Sequence, residues 1–213
     1  MTDMTTRRPS ACVSARTRAV ACTLPVLVAL ILITASATSV HAADTAVPGS
    51  SADASSDTRP ELQELLPNSR LVGKGRLTVW GFQVYDARLW GPKNFSGNNL
   101  AAQPFALELA YLRAFDKVDV AERSITEMRR AGTISDVQAQ AWTDDLLRVL
   151  VDVKKGDRIM GVNRPGVGAL FVINGKPGGE IRDLEFARRF FGIWLAPQTS
   201  EPQLRSALLA GAV

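Results

Sequence analysis

The sequence predicts an α+β fold, an antiparallel sheet with helices packed on one face. Two observations carry this. Between residues 71 and 112 three segments alternate apolar and polar side chains, and no helical segment separates them. Strands that follow one another in this way pair antiparallel. From residue 120 the apolar period lengthens to that of a helix, shortens again over 157–181, and lengthens once more towards the C-terminus. The resulting order is βββ-αα-βββ-αα.

In chain order, residues 1–42 have the layout of an export signal. Arg7, Arg8, Arg16 and Arg18 stand against one acid, Asp3. The apolar run from Thr23 to Ile33 follows, then small residues from Thr34 to Ala43, with a cleavage site expected after Ala42. A helix crossing a bilayer needs about 20 apolar residues, and this run is shorter. The expectation is a periplasmic or secreted protein with no stable membrane span after cleavage. Cys22 precedes the apolar run, so it is not a lipoprotein acylation site.

Cleavage would remove Cys12, Cys22 and His41, which are both cysteines and the sole histidine of the chain. Thiol and imidazole chemistry, and the usual zinc and haem ligands, leave with them. No serine stands in a nucleophile elbow. Gly73-x-Gly75 has no third glycine and is not a nucleotide loop. Asp144-Asp145 reads as a solvated helix face, because calcium needs more oxygen ligands than this pair. No cofactor and no metal are expected. The leader also holds three of the four net positive charges, so residues 43–213 carry only +1. Nothing there favours nucleic acid, which calls for a clustered basic face.

Residues 43–60, rich in Ala, Ser, Thr and Asp, read as a flexible linker, and residues 61–213 as one folded domain. In the first strand Leu71, Gly73, Gly75, Leu77 and Val79 share one face, and Lys74, Arg76 and Thr78 the other. Gly81 breaks the run and Phe82–Trp90 resumes it. After a loop at 91–99, Phe105–Leu112 puts Phe105, Leu107, Leu109 and Tyr111 on one face. Val120–Ala131 reads as a helix capped by Asp119 and stopped by Gly132, and Ser135–Val149 as a second. Asp157–Arg164, Ala169–Ile173 and Gly178–Ile181 are short strands, the last two joined through the hairpin signal Asn174-Gly175. A helix from Asp183 buries Phe186, Phe190 and Ile193. The last helix opens on Ser200-Glu-Pro-Gln203, read as a capping box, and buries Leu204, Leu208 and Leu209. The cluster of Phe186, Phe190, Phe191 and Trp194 reads as core with an edge available to a cleft.

Arg76 and Lys74 place two cations on one strand face. A guanidinium can grip a carboxylate with two parallel hydrogen bonds, and an ammonium nearby adds to the field. The alternative is that both are solvated residues on an exposed sheet face. Tyr85 and Tyr111 are the two tyrosines of the chain. Either could complete a carboxylate site, or be a core ring with its hydroxyl bonded at the rim.

Several segments resemble chalcone-isomerase-like proteins, in particular a bacterial exported branch. They are Gly73-Lys-Gly-Arg-Leu-Thr-Val-Trp-Gly-Phe-Gln-Val-Tyr-Asp-Ala-Arg-Leu89, Lys155-Gly-Asp157, Phe171-Val-Ile-Asn-Gly175, Phe190-Phe-Gly-Ile-Trp-Leu195 and Pro202-Gln-Leu-Arg-Ser-Ala-Leu-Leu209. The resemblance spans residues 66–211. It implies an open-faced β-sandwich, a long sheet wrapped by helices with a ligand cleft between them. It also implies that Arg76, matching the family's hairpin arginine, faces that cleft.

Plant members of the family cyclise chalcones, and others bind fatty acids or act as non-catalytic helpers. The plant enzymes carry a catalytic tyrosine near the start of the first helix. Here that stretch, Phe115 to Arg123, has none, and the family's lysine and asparagine lack counterparts over Ala121–Thr126. Arg76 alone cannot make an isomerase. The reading is a non-catalytic binder of an amphipathic anion such as a fatty acid, anchored by Arg76, with Tyr85, Lys74 and Tyr111 as further ligand-binding candidates. Two alternatives stand beside it. One is an isomerase of chalcone isomerase type on another substrate. The other is a protein–protein interaction module whose cleft is filled by its own side chains. No protein partner is identified.

Overall fold

The computed structural model describes residues 59–213, so the expected export signal and all but the end of the linker lie outside the described residues. The chain forms α1 (Pro60–Leu65), β1 (Arg70–Val79), β2 (Phe82–Gly91), β3 (Phe105–Tyr111), α2 (Lys117–Met128) and α3 (Asp136–Val149). It continues through β4 (Arg158–Arg164), β5 (Gly168–Ile173), β6 (Lys176–Ile181), α4 (Leu184–Leu195) and α5 (Pro202–Leu208). The six strands make one sheet in sequence order, each antiparallel to its neighbours. The predicted α+β class and open sheet are present.

Two-residue turns close the first and last hairpins. Asn174 and Gly175 have φ of 50° and 80°, and Trp80 and Gly81 have φ of 49° and 81°. Both central residues in the left-handed region is the pattern of a type I′ turn, which matches the twist of the flanking strands. Pro177 lies in β6, an edge strand, where its missing N–H costs no ladder bond on the open side.

The sheet has two apolar faces of unequal size. Leu89, Phe105, Leu107, Phe171 and Ile181 meet α2, α3, α4 and α5 in the main core, with Phe186, Phe190, Phe191 and Leu208 from the helices. The opposite face carries a smaller cluster of Trp90, Ala106, Met160, Val162 and Val172 under Leu62 and Leu66. Those two leucines belong to α1 and the residue that ends it, a helix the apolar period did not reveal. Helix α1 begins at Pro60, the last residue of the segment read as linker.

The strict alternation predicted for β1 fails at one point. A bulge between Leu71 and Gly73 turns Val72 into the main core and sends Leu71 to the smaller cluster. The bulge inserts one residue and so reverses the facing of everything before it. Beyond it, Gly73 and Gly75 lie under α5. A methyl group at Gly73 would run into the carbonyl oxygens of Ala207 and Leu208, and one at Gly75 would come within 2.7 Å of the Leu204 side chain. The glycine pair is a packing device that lets a helix lie directly on a strand.

Two predicted caps are corrected. Helix α2 starts at Lys117, three residues before the expected Val120, with Asp116 at the N-cap and Asp119 inside the first turn. The Lys117 N–H donates instead to Asp152 Oδ1 at 2.9 Å, a cap supplied from the far end of α3. At α5 the box at Ser200 does not form. The Ser200 hydroxyl donates to Glu127 Oε2 at 2.9 Å, and Glu201 takes the N-cap position. The caps read at Ser135 and Asp183 are present, accepting from the N–H groups of Gln138 and Phe186.

Glu108 is the most buried charge described, fully covered in the centre of the smaller face. Arg59 grips it through Nε at 2.6 Å and Nη2 at 2.9 Å, and Arg158 Nη1 donates at 2.6 Å. Arg158 also reaches Glu61 on α1 at 3.0 Å. Burial alone would raise the Glu108 carboxyl, but the Arg59 and Arg158 guanidiniums outweigh it and hold the group below the ordinary carboxylate range. The cluster ties α1 to β3 and β4.

Candidate functional site

The inner face of the sheet diverges from the helices at the end where β1 and β2 turn, and a cleft of about 670 Å³ opens there. Its size falls within the range of small-molecule sites. Leu77 and Val84 from the hairpin, Leu109 from β3, Ile159 from β4, and Phe190 and Ile193 from α4 make it apolar. The sheet supplies these residues by parity. The same period of two that buries Phe105 and Leu107 deeper in the core continues outward to Leu109 and Tyr111.

Tyr85 and Tyr111 both line the cleft, facing each other across β2 and β3 with ring centroids 6.0 Å apart, edge to face. The Tyr85 hydroxyl accepts from the Trp194 indole N–H at 2.9 Å. Neither hydroxyl proton has an acceptor among the described residues, so each can donate to a molecule in the cleft. Burial pushes the Tyr85 phenol up to about 12, and the fields of Glu201 and Glu127 add to it against the Trp194 bond and Arg123. Tyr111 is raised too, again by burial first. Burial thus favours the neutral, donating form of both phenols.

Arg76 and Lys74 are not in the cleft, which corrects the expectation that Arg76 faces it. Both stand on the opposite face of the sheet, on positions paired with Asp86 and Arg88. Arg76 is held there in a two-pronged bond to Asp86, Nε to Oδ1 at 2.5 Å and Nη2 to Oδ2 at 2.9 Å. Lys74 is exposed. The reason is the alternation itself: Gly73, Gly75 and Leu77 meet the helices, so the residues between them must face away.

Two other arginines line the cleft. Arg123, on α2, reaches Glu127 at 2.8 Å, and Glu127 is bonded as well by Arg130 at 2.8 Å and by Ser200. That corner is a bonded cluster in which Arg123 already has a carboxylate partner. Arg113 differs. It makes no ion pair among the described residues, and its guanidinium lies 4.8 Å from the centre of the Phe82 ring at the cleft mouth. Neither arginine was singled out from the sequence, although Arg113 lies two residues beyond Tyr111 on the parity of the inner face.

No group of three or more His, Cys, Asp or Glu side chains among the described residues could hold a metal ion. No described helix is long and apolar enough to cross a membrane.

Comparison with known proteins places these features in a family. The chalcone isomerase-like family model matches residues 62–210. A crystal structure of a fatty-acid binding protein from Arabidopsis thaliana superposes with a TM-score of 0.52 at 14% identity, covering 67% of this chain and 87% of that one. At that identity the likeness concerns the fold. None of the curated proteins matches the chain in sequence.

Proposed function

The chain belongs to the chalcone isomerase-like family, and on that premise we propose that it binds an amphipathic carboxylic acid such as a fatty acid without transforming it. The observation that carries this is an apolar cleft of about 670 Å³ lined by a cation that has no acidic partner among the described residues, Arg113. The carboxylate pairs with Arg113 and accepts from the Tyr111 and Tyr85 hydroxyls. The acyl chain lies along Leu77, Leu109, Ile159 and Phe190. A charge-assisted bond of this kind contributes about 1.5–3 kcal/mol. The Arabidopsis fatty-acid binding protein of the same fold supports the ligand class. Two neutral, buried phenols support binding over proton transfer. A module with a closed cleft does not fit, because the space is open. Export with removal of residues 1–42 belongs to the same proposal, and N-terminal sequencing of the protein from the periplasmic fraction tests it.

Native mass spectrometry of the purified protein, with analysis of its organic extract, tests the ligand. The expected result is a bound species whose mass matches a fatty acid. A protein that is empty as isolated, and stays empty on titration with long-chain acids, overturns the reading.

A further inference from the structure

The cleft mouth also carries most of the large apolar residues exposed on the described surface. Eight large apolar residues are exposed among the described residues. Five of them lie at this end: Val79, Trp80 and Phe82 on the hairpin, Val118 in the first turn of α2, and Val151 just after α3. The last two are brought together because the α2 N-terminus is capped by Asp152 and Phe115 bridges to Val153. Trp80 is 94% exposed. It also occupies a turn position with φ of 49°, where Asn or Gly is favoured and a bulky side chain is an outlier. An indole held in that conformation and turned to solvent gains nothing for the fold, and it does not fill the cleft that it borders.

Charged residues of both signs lie at the same end. Arg113 and Asp119 line the cleft, Asp152 accepts from the Lys117 N–H, and Asp157 accepts from the Lys154 N–H. The Lys154–Lys155 turn closes onto β3 through the Gly156 N–H, which donates to Tyr111 O at 2.8 Å. Along 113–119 and 152–157 cations and carboxylates are interspersed, with no long run of one sign. This end therefore suits a zwitterionic surface of phosphates and ammonium groups better than a strongly anionic one. Trp and Phe prefer the boundary between headgroups and acyl chains, and Lys and Arg stems extend along it.

We propose that this end of the molecule docks on the surface of a phospholipid bilayer, with Trp80 and Phe82 entering the headgroup layer and the cleft opening towards the lipid. The surface rests on its own exposure and not on which molecule fills the cleft.

The test uses the full chain with vesicles of phosphatidylcholine carrying bromine on the acyl chains, and reads quenching of tryptophan emission. The N-terminal apolar run can itself hold the chain on a vesicle, so adsorption is not the readout. The position of the Trp80 indole is. The other three tryptophans, Trp90, Trp142 and Trp194, are at most 9% exposed. Quenching should fall several-fold in Trp80→Phe, fall partly in Phe82→Ser, and hardly change between low and high salt. A parent protein quenched no more than Trp80→Phe would overturn the proposal and leave the tip to a protein partner. Quenching abolished by salt would overturn it as well, because adsorption would then be electrostatic.

Discussion

Arg76 and Arg113 show how one step of parity decides a role. Both stand on or just past strands that border the cleft. Arg76 follows the polar register of β1 and pairs with Asp86 outside, whereas Arg113 continues the register of Leu109 and Tyr111 inside. The family resemblance suggested Arg76 as the cleft cation, but the alternation in the same strand pointed the other way, and the alternation decides where a side chain goes. Tyr85 is held by the Trp194 indole, so Tyr85→Phe leaves that buried N–H without an acceptor. Stability should fall by about 1–3 kcal/mol, read by chemical denaturation. The pH dependence follows from the raised phenol. Its folded pKa, about 12, lies above the unfolded value, so its contribution is complete below about pH 10 and is lost as pH rises towards 12. Denaturation profiles should therefore decline through that window, less steeply in Tyr85→Phe. An alkaline profile identical in both proteins would contradict this.

At the scale of elements, the long periodic segments were legible and the joints between them were not. Strand β3 and helices α3 and α4 lie where the period put them, because each buries one continuous face and carries its own start signal, as Ser135 and Asp183 do. Helix α1 was hidden, since six residues with one buried leucine, Leu62, give too little period to stand out from the polar segment before them. The starts of α2 and α5 were misread for a shared reason. A distant group, Asp152, caps α2, and at α5 the Ser200 hydroxyl is drawn away to the distant Glu127, and no local pattern encodes such partners. Two predictions belong here. Glu108→Ala leaves Arg59 and Arg158 without their central acceptor and should cost about 3 kcal/mol, with α1 losing hydrogen-exchange protection first. Because the folded Glu108 pKa is depressed, its contribution is present above the unfolded value of about 4.3 and fades as pH falls below it. Acid unfolding should begin with release of α1. Gly73→Ala, with the added methyl against the backbone of α5, should destabilise by about 1–3 kcal/mol or more, whereas Gly81→Ala has open space and meets only its turn angle.

For the whole molecule, the apolar periods supplied the antiparallel sheet and the helical layer, and the family resemblance implied a cleft between them. The sequence supplied the position of both tyrosines but not the cation that completes the site, because the cleft is formed by divergence of elements far apart in the chain. Residues 77–85, 109–124, 190–194 and 200–201 meet there only after the sheet has been wrapped by α2, α4 and α5. The most direct test of the central claim is displacement of a fluorescent fatty acid, measured in parallel on the parent, Arg113→Ala and Arg76→Ala. The account predicts that Arg113→Ala weakens binding about tenfold or more, consistent with loss of a charge-assisted bond of about 1.5–3 kcal/mol, while Arg76→Ala binds like the parent. Loss of affinity in Arg76→Ala with Arg113→Ala unchanged would contradict it, and so would equal binding in all three.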